Sequence, residues 1–209
     1  MPTANALPLS LEGQCLSALA NKRIKNNALP GSIAVWIFIY AELFEFGLFF
    51  IGFLLAKIYY PHEFYQGPSQ LSTTTGLLNT LVLLTSSFFV VRAMKAIKRG
   101  EQKRTVMWLC LTIVAGLSYC AIKTWEYQLN ESIGVTPRTN YYFASYYYIT
   151  FNHLLHVLIG TCTIAFVAIL TALGFYTKDN HEGLESAASY WHMIDLVWIL
   201  IFPLIYVLR

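Results

Sequence analysis

Five apolar stretches, each long enough to cross a bilayer as a helix, most constrain what this 209-residue chain can fold into. A hydrocarbon core of about 30 Å requires about 20 apolar residues in a helix, and only helices and closed barrels satisfy their own backbone there. Hydrophobic residues make up 56% of the chain and charged residues only 12%, so a water-soluble fold could not hide its apolar surface. The spans cover approximately residues 32–57, 73–96, 105–128, 142–175 and 184–208. We therefore predict an all-α membrane protein, a bundle of five transmembrane helices.

Three of the predicted helices have sequence features that predict their tilt, their kinks or their packing. The fourth is longer than a straight crossing requires, so we expect it to tilt or to project beyond the membrane. The fifth contains Pro203, which predicts a kink near its end. The second is rich in small and hydroxyl-bearing residues, which favour close packing against neighbouring helices.

The basic residues predict the orientation of the chain. Ten of the fourteen lysines and arginines fall on one side of the predicted spans, in the N-terminal segment and in the second and fourth connections. Because cytoplasmic loops carry the excess of Lys and Arg, we predict a cytoplasmic N-terminus and a periplasmic C-terminus. We interpret residues 1–30 as a polar tail and residues 31–209 as the five-helix membrane domain.

The cysteines lie far apart, without the spacing of a metal site or a redox pair. We interpret all four as buried small hydrophobic residues, not as a disulfide framework. They are Cys15, Cys110, Cys120 and Cys162. The tyrosine-rich start of the fourth helix, residues 141–148, is interpreted as a set of anchors at the headgroup zone.

A few ionisable residues lie inside the predicted spans. Burial of an ionisable side chain in lipid costs free energy, so each of them indicates a function or a polar partner. Within each helix two of them are three residues apart and share one face. We predict an inter-helix polar cluster of Glu42, Glu45, His153, His156, His192 and Asp195. We predict a structural ion pair between Lys123 and Glu126 near the outer end of the third helix, where long side chains can reach the interface.

Two interpretations of Glu42 stand side by side. The carboxyl could exchange protons or organise the polar cluster with the histidines, or it could be a neutral group that ties helices together. For Glu45 the second interpretation is favoured.

The histidine spacings also bear on metals and haem. His153-x-x-His156 and His192-x-x-Asp195 are compatible with zinc, iron or copper, but carboxylates and hydroxyls satisfy such histidines equally well. We therefore predict no metal, cofactor or catalytic residues. A haem-copper catalytic subunit needs about six histidine ligands. The chain has five histidines in all, and two of them, His62 and His181, fall in predicted loops, so the sequence cannot supply that centre.

The first predicted helix introduces a resemblance to a known family. Its run WIFIYAELFEF, residues 36–46, resembles the helix of haem-copper oxidase subunit III that bears a carbodiimide-reactive glutamate, which Glu42 matches here. The family commonly has Ser before that glutamate, whereas this chain has Ala41.

The remaining helices extend the resemblance in the family's own order. Similar stretches occur at residues 78–87 and 125–127, in the paired-histidine run 151–160 and in YWHMIDLVW, residues 190–198, which carries the strongest match. Full-length subunit III has seven helices, and the resemblance covers only the last five. The lipid cleft formed with the first two cannot therefore be carried over directly. The five-helix length and the ending FPLIY, residues 202–206, resemble accessory members that accompany a nitric oxide reductase.

The resemblance implies an accessory, non-redox subunit of a respiratory haem-copper complex, either a cytochrome c oxidase or a nitric oxide reductase. Such a subunit would stabilise the catalytic subunit and aid proton supply, in the inner membrane of a bacterium. Its expected partners are the catalytic subunit and membrane lipids, not nucleic acid. No cofactor of its own is expected, with phospholipid as the one candidate ligand. The alternatives are a stand-alone proton-linked transporter or channel, in which the polar cluster lines the path, and a haem- or metal-binding enzyme in its own right.

Overall fold

The structure, a computed structural model, describes residues 31–208, so the predicted polar tail 1–30 lies outside the described residues. The described chain is helical, and five of its helices are long and apolar enough to cross a membrane, as predicted. The six helices are α1 (Ile33–Tyr59), α2 (Pro61–Gln70), α3 (Thr73–Lys98), α4 (Gln102–Ser132), α5 (Tyr141–Ala172) and α6 (Glu182–Phe202), and a π-helical turn (Pro203–Val207) follows.

Side-chain caps explain where three of the helices begin. Ser32 Oγ accepts from the backbone N–H of Ala34 at the start of α1, and Ser72 caps α3 in the same way. At α5, Asn140 Oδ1 accepts from the N–H of Phe143 at 2.9 Å. These short polar side chains satisfy donors that a helix leaves unpaired at its N-terminus.

The short helix α2 was not predicted from the sequence, because its ten residues are mostly polar and aromatic. Pro61 occupies the first position, where a missing N–H has no cost. Phe64 and Gly67 are buried against α5, and the Glu63 carboxylate accepts from the N–H of Tyr141 at 2.8 Å. The helix therefore lies across the end of the bundle and fixes the start of α5.

Helices α3 to α6 pack mainly with their neighbours in sequence, whereas α1 lies against α5 and α6. The most extensive interfaces join α3 to α4 and α4 to α5, while α6 lies against both α5 and α3. Hydroxyls of α3 hold the indoles of α6: Trp191 Nε1 donates to Ser86 at 3.0 Å and Trp198 Nε1 donates to Thr80 at 2.9 Å. This agrees with the packing role predicted for the hydroxyl-rich helix.

Helix α1 is held much more loosely than the others. Only three of its 27 residues are buried, namely Ile39, Phe46 and Phe53 at a spacing of seven. In α6, by contrast, eleven of 21 residues are buried. Most of the α1 surface therefore faces outward and is apolar, as a lipid- or protein-contacting surface in a membrane would be.

The α-helical geometry ends where Pro203 was predicted to disturb it. A proline has no N–H for the helical ladder, so α6 stops at Phe202 and the chain continues as a π-helical turn. The Leu208 N–H bonds to the Pro203 carbonyl at 2.9 Å, and the turn points Tyr206 into the core.

Two smaller predictions need correction. Cys110 and Cys162 are exposed and Cys120 is half-buried, because an apolar thiol is as compatible with lipid as with a core; Cys15 lies outside the described residues. The aromatic start of α5 is not a uniform set of anchors. Tyr141 and Tyr148 are exposed, whereas the residues between them on the inner face are buried, namely Tyr142, Phe143 and Tyr146.

Candidate functional site

Glu42 of α1 and His156 of α5 meet side by side. His156 Nε2 lies 2.5 Å from Glu42 Oε2, and each side chain is 13% exposed. His156 Nδ1 lies 2.7 Å from the carbonyl oxygen of Asn152, which can only accept, so Nδ1 carries a proton. The contact with Glu42 therefore holds one proton, either on the imidazolium or on the carboxyl, close to the surface of the bundle.

His153 lies one turn before His156 but points into the core, where it is fully buried. Its Nε2 lies 3.2 Å from the carbonyl oxygen of Ile194, so Nε2 is the protonated nitrogen. Nδ1 then accepts from the Tyr119 hydroxyl at 3.1 Å. Both ring nitrogens are satisfied in the neutral form, which suits a structural link between α4, α5 and α6. The ring of Phe46 contacts both histidines.

His192 and Asp195 occupy a different interface, between α6 and α3. His192 Nδ1 lies 2.7 Å from the hydroxyl oxygen of Ser87. Asp195 is 4% exposed, and neither carboxyl oxygen has a hydrogen-bond partner among residues 31–208. The predicted single cluster is thus resolved into separate contacts: Glu42 with His156, His153 with Tyr119, and His192 with Ser87.

Glu45 does not join any of these contacts. Its side chain is exposed, and no hydrogen bond or ion pair reaches it from the described part of the chain. The reason is the position of α1 on the bundle. The buried line passes through Phe46, and the preceding residue projects about 100° away from it.

Lys123 and Glu126 form a closed network in the centre of the bundle. Lys123 Nζ lies 3.2 Å from Glu126 Oε2 and donates to the hydroxyls of Tyr146 at 3.2 Å and Tyr206 at 2.6 Å. Both hydroxyls in turn donate to Glu126 Oε1, at 2.9 and 2.7 Å. All three ammonium protons and both carboxylate oxygens are therefore engaged.

The network is deeper than the sequence suggested. The side chains of Lys123 and Glu126 are 0% and 2% exposed, so they do not extend to the interface. Helix α4 continues to Ser132, which leaves the pair inside the bundle. The two tyrosines that complete the network were not predicted as site residues. Tyr206 is 83 residues from Lys123 in the chain, so no local spacing could indicate it.

No group of three or more His, Cys, Asp or Glu side chains within residues 31–208 is placed to hold a metal ion. Glu42, Lys123, Glu126 and the three histidines of the spans instead pair with each other, with hydroxyls or with backbone carbonyls, whereas Asp195 and Glu45 have no hydrogen-bond partner among the described residues. The arrangement can hold a proton between α1 and α5 and tie the helices together.

The sequence of the chain is similar to that of a known protein family. Residues 30–209 match the family described as "Cytochrome c oxidase subunit III". The chain belongs to the cytochrome c oxidase subunit III family. The match covers all five transmembrane helices and every polar contact described above.

Individual members of the subunit III family show the same relationship. The chain is 34% identical over 176 residues to cytochrome c oxidase subunit 3 of Danio rerio, covering 81% of this chain and 66% of the relative. It is 36% identical over 130 residues to that of Cyprinus carpio, covering 62% and 49%. It is 30% identical over 175 residues to that of Synechocystis sp., covering 83% and 74%. The chain thus spans between half and two thirds of the length of the fish relatives.

Proposed function

We propose that the chain is an accessory, non-redox subunit of a respiratory haem-copper complex in a bacterial inner membrane, where it stabilises the catalytic subunit. The observation that carries this proposal is the subunit III family match across residues 30–209. The saturated network of Lys123 and Glu126 supports it, because it suits a rigid supporting subunit better than a reactive centre. The catalytic subunit is the proposed partner.

For the host complex, we propose the nitric oxide reductase type. This finer proposal rests on the resemblance of residues 202–206 to accessory members of that type. Purification of the tagged chain in mild detergent tests it, because the haem-bearing subunit that accompanies the chain can be assayed for reduction of nitric oxide and of oxygen. Oxygen reduction alone would contradict the nitric oxide reductase assignment but leave the accessory role intact.

The Glu42 and His156 contact is the proposed link to proton supply. It holds one proton, and its two side chains are partly exposed at the outside of the bundle, where a neighbouring subunit can contact them. A proton in such a short contact can move between carboxyl and imidazole with little rearrangement. The other ionisable contacts lie deeper or lack this shared proton.

Deletion of the chain from the host organism provides the main test. We expect the remaining complex to lose activity faster during turnover and to retain less catalytic subunit in the membrane. Glu42→Gln removes the exchangeable carboxyl proton while keeping the shape, and should lower proton-linked turnover without loss of assembly. Glu182→Gln, an exposed carboxylate outside the predicted spans, is the matched control. Unchanged turnover stability after deletion would contradict the accessory role.

We also propose a phospholipid ligand at the end of α4 and the start of α5. A cavity of about 710 Å³ opens there, lined by aromatic rings that include Tyr127, Tyr147 and Phe151 and also by Glu131 and Arg138. Rings suit acyl chains, and the opposite charges suit a zwitterionic headgroup. Native mass spectrometry should show lipid adducts that Arg138→Ala weakens and Lys178→Ala does not.

A further inference from the structure

Glu45 is an exposed carboxylate in the middle of a transmembrane helix. It lies twelve residues after the start of α1, about 18 Å along the helix axis, and the helix has 27 residues. An ionisable side chain at that depth is costly in lipid unless it faces a polar partner. Because no partner for Glu45 occurs between residues 31 and 208, the structure calls for one from outside this part of the chain.

The surface around Glu45 is shaped for the close approach of another helix. Ala41 and Gly52 are exposed, one turn before and about two turns after Glu45, and Leu48 lies between them. A Cβ added to Gly52 would have no atom within 4 Å. Small residues at such positions let the backbones of membrane helices approach closely. We call Ala41, Glu45, Leu48 and Gly52 the Glu45 face.

A groove of about 420 Å³ continues from the Glu45 face toward α5, and Leu48, Gly52 and Tyr148 contribute to its wall. Its lining is apolar apart from the hydroxyl-bearing residues Ser145 and Tyr148. An apolar helix could therefore seat its side chains in the groove while one polar side chain reaches Glu45. Only three residues of α1 are buried inside the bundle, and the Glu45 face is exposed.

We infer that the Glu45 face is the docking site for a transmembrane helix of a partner subunit that presents a basic side chain at mid-membrane depth. Charge complementarity selects this occupant. A second copy of the chain would bring a second carboxylate to the same depth, and an acyl chain offers no partner for a carboxylate. The inference rests on the proposed function, because it assigns the place where the partner subunit binds.

The test uses the tagged full chain co-expressed with its host complex, with retained haem per chain as the measurement. Glu45→Lys should reduce retention about tenfold, since it sets two cations against each other. Glu45→Gln should reduce it about threefold. Gly52→Leu should also reduce retention, by filling the close-approach position. Gly47→Leu is the matched control, since that glycine of α1 also has no neighbour within 4 Å but lies on another side of the helix.

Isolated Glu45→Lys chain should melt within error of the wild type, because the side chain is exposed and makes no hydrogen bond or ion pair within residues 31–208. Wild-type retention of haem by every Glu45 and Gly52 variant would overturn the docking site and leave the proposed function standing. If the wild-type chain retained no haem, both the docking site and the proposed function would be overturned. Two other results would assign the Glu45 face to a different occupant and overturn the inference. One is a dimer of the isolated chain that Glu45→Lys abolishes. The other is a lipid adduct that the variants lose without losing haem.

Discussion

The ammonium of Lys123 donates to the hydroxyl of Tyr206 at 2.6 Å, which joins the C-terminal third of α4 to the π-helical turn that follows α6. The same ammonium pairs with Glu126, whose carboxylate also accepts from Tyr146 of α5. Helices α4 and α5 and the π-helical turn are therefore joined around one buried cation. Removal of one member of such a group leaves the other charge uncompensated, whereas removal of both does not. The stability of the bundle should therefore respond asymmetrically to single and double substitutions.

Lys123→Met should destabilise the isolated chain by about 3–5 kcal/mol, because the Glu126 carboxylate loses its cation while remaining buried. The double variant Lys123→Met with Glu126→Gln should recover at least half of that loss. Unfolding of the purified chain in detergent micelles, followed by circular dichroism, measures both. Additive losses in the double variant would show that the ion pair is not the source of the effect.

Glu42 and His156 should show measurable coupling in a double-mutant cycle. Each alanine substitution leaves a partly buried partner without its hydrogen bond, so the double variant should be more stable than the sum of the single losses predicts, by about 0.5–2 kcal/mol. Thermal unfolding of the four proteins gives this quantity. The pair His156→Ala and Glu45→Ala serves as control and should be additive, because Glu45 does not contact the histidine.

The sequence was sufficient to predict the five transmembrane helices and the ionisable residues of the polar contacts. It did not indicate helix α2, the tyrosine partners, or which contacts the ionisable residues make. A spacing of three residues places Glu42 and Glu45 on adjacent parts of α1. The buried side of the helix passes through Phe46, however, and only Glu42 lies close enough to it to reach His156. Which part of a helix faces the bundle depends on neighbours distant in the chain. Tyr206 illustrates the same limit, because its approach to Lys123 depends on the π-helical turn after Pro203.

The close contact between α2 and α5 should make Gly67 intolerant of a side chain. A Cβ at Gly67 would overlap the ring of Tyr142, which is fully buried. Gly67→Ala should therefore destabilise the chain by about 1–3 kcal/mol. Gly47→Ala is the matched control. It has open space and a helical position, so it should be neutral or more stable by up to about 1 kcal/mol. Equal behaviour of the two variants would contradict the docking of α2.

Glu63 should control the first turn of α5 from a position 78 residues earlier in the chain. Its carboxylate accepts from the N–H of Tyr141, and Asn140 accepts from the N–H of Phe143 in the same turn. Glu63→Ala should speed amide hydrogen exchange at Tyr141 about threefold to tenfold, as the loss of one capping bond of about 1 kcal/mol implies. Asn140→Ala should instead speed exchange at Phe143. If Glu63→Ala left exchange at Tyr141 unchanged while Asn140→Ala acted as described, α2 would not be a cap for α5, and the start of that helix would depend on Asn140 alone.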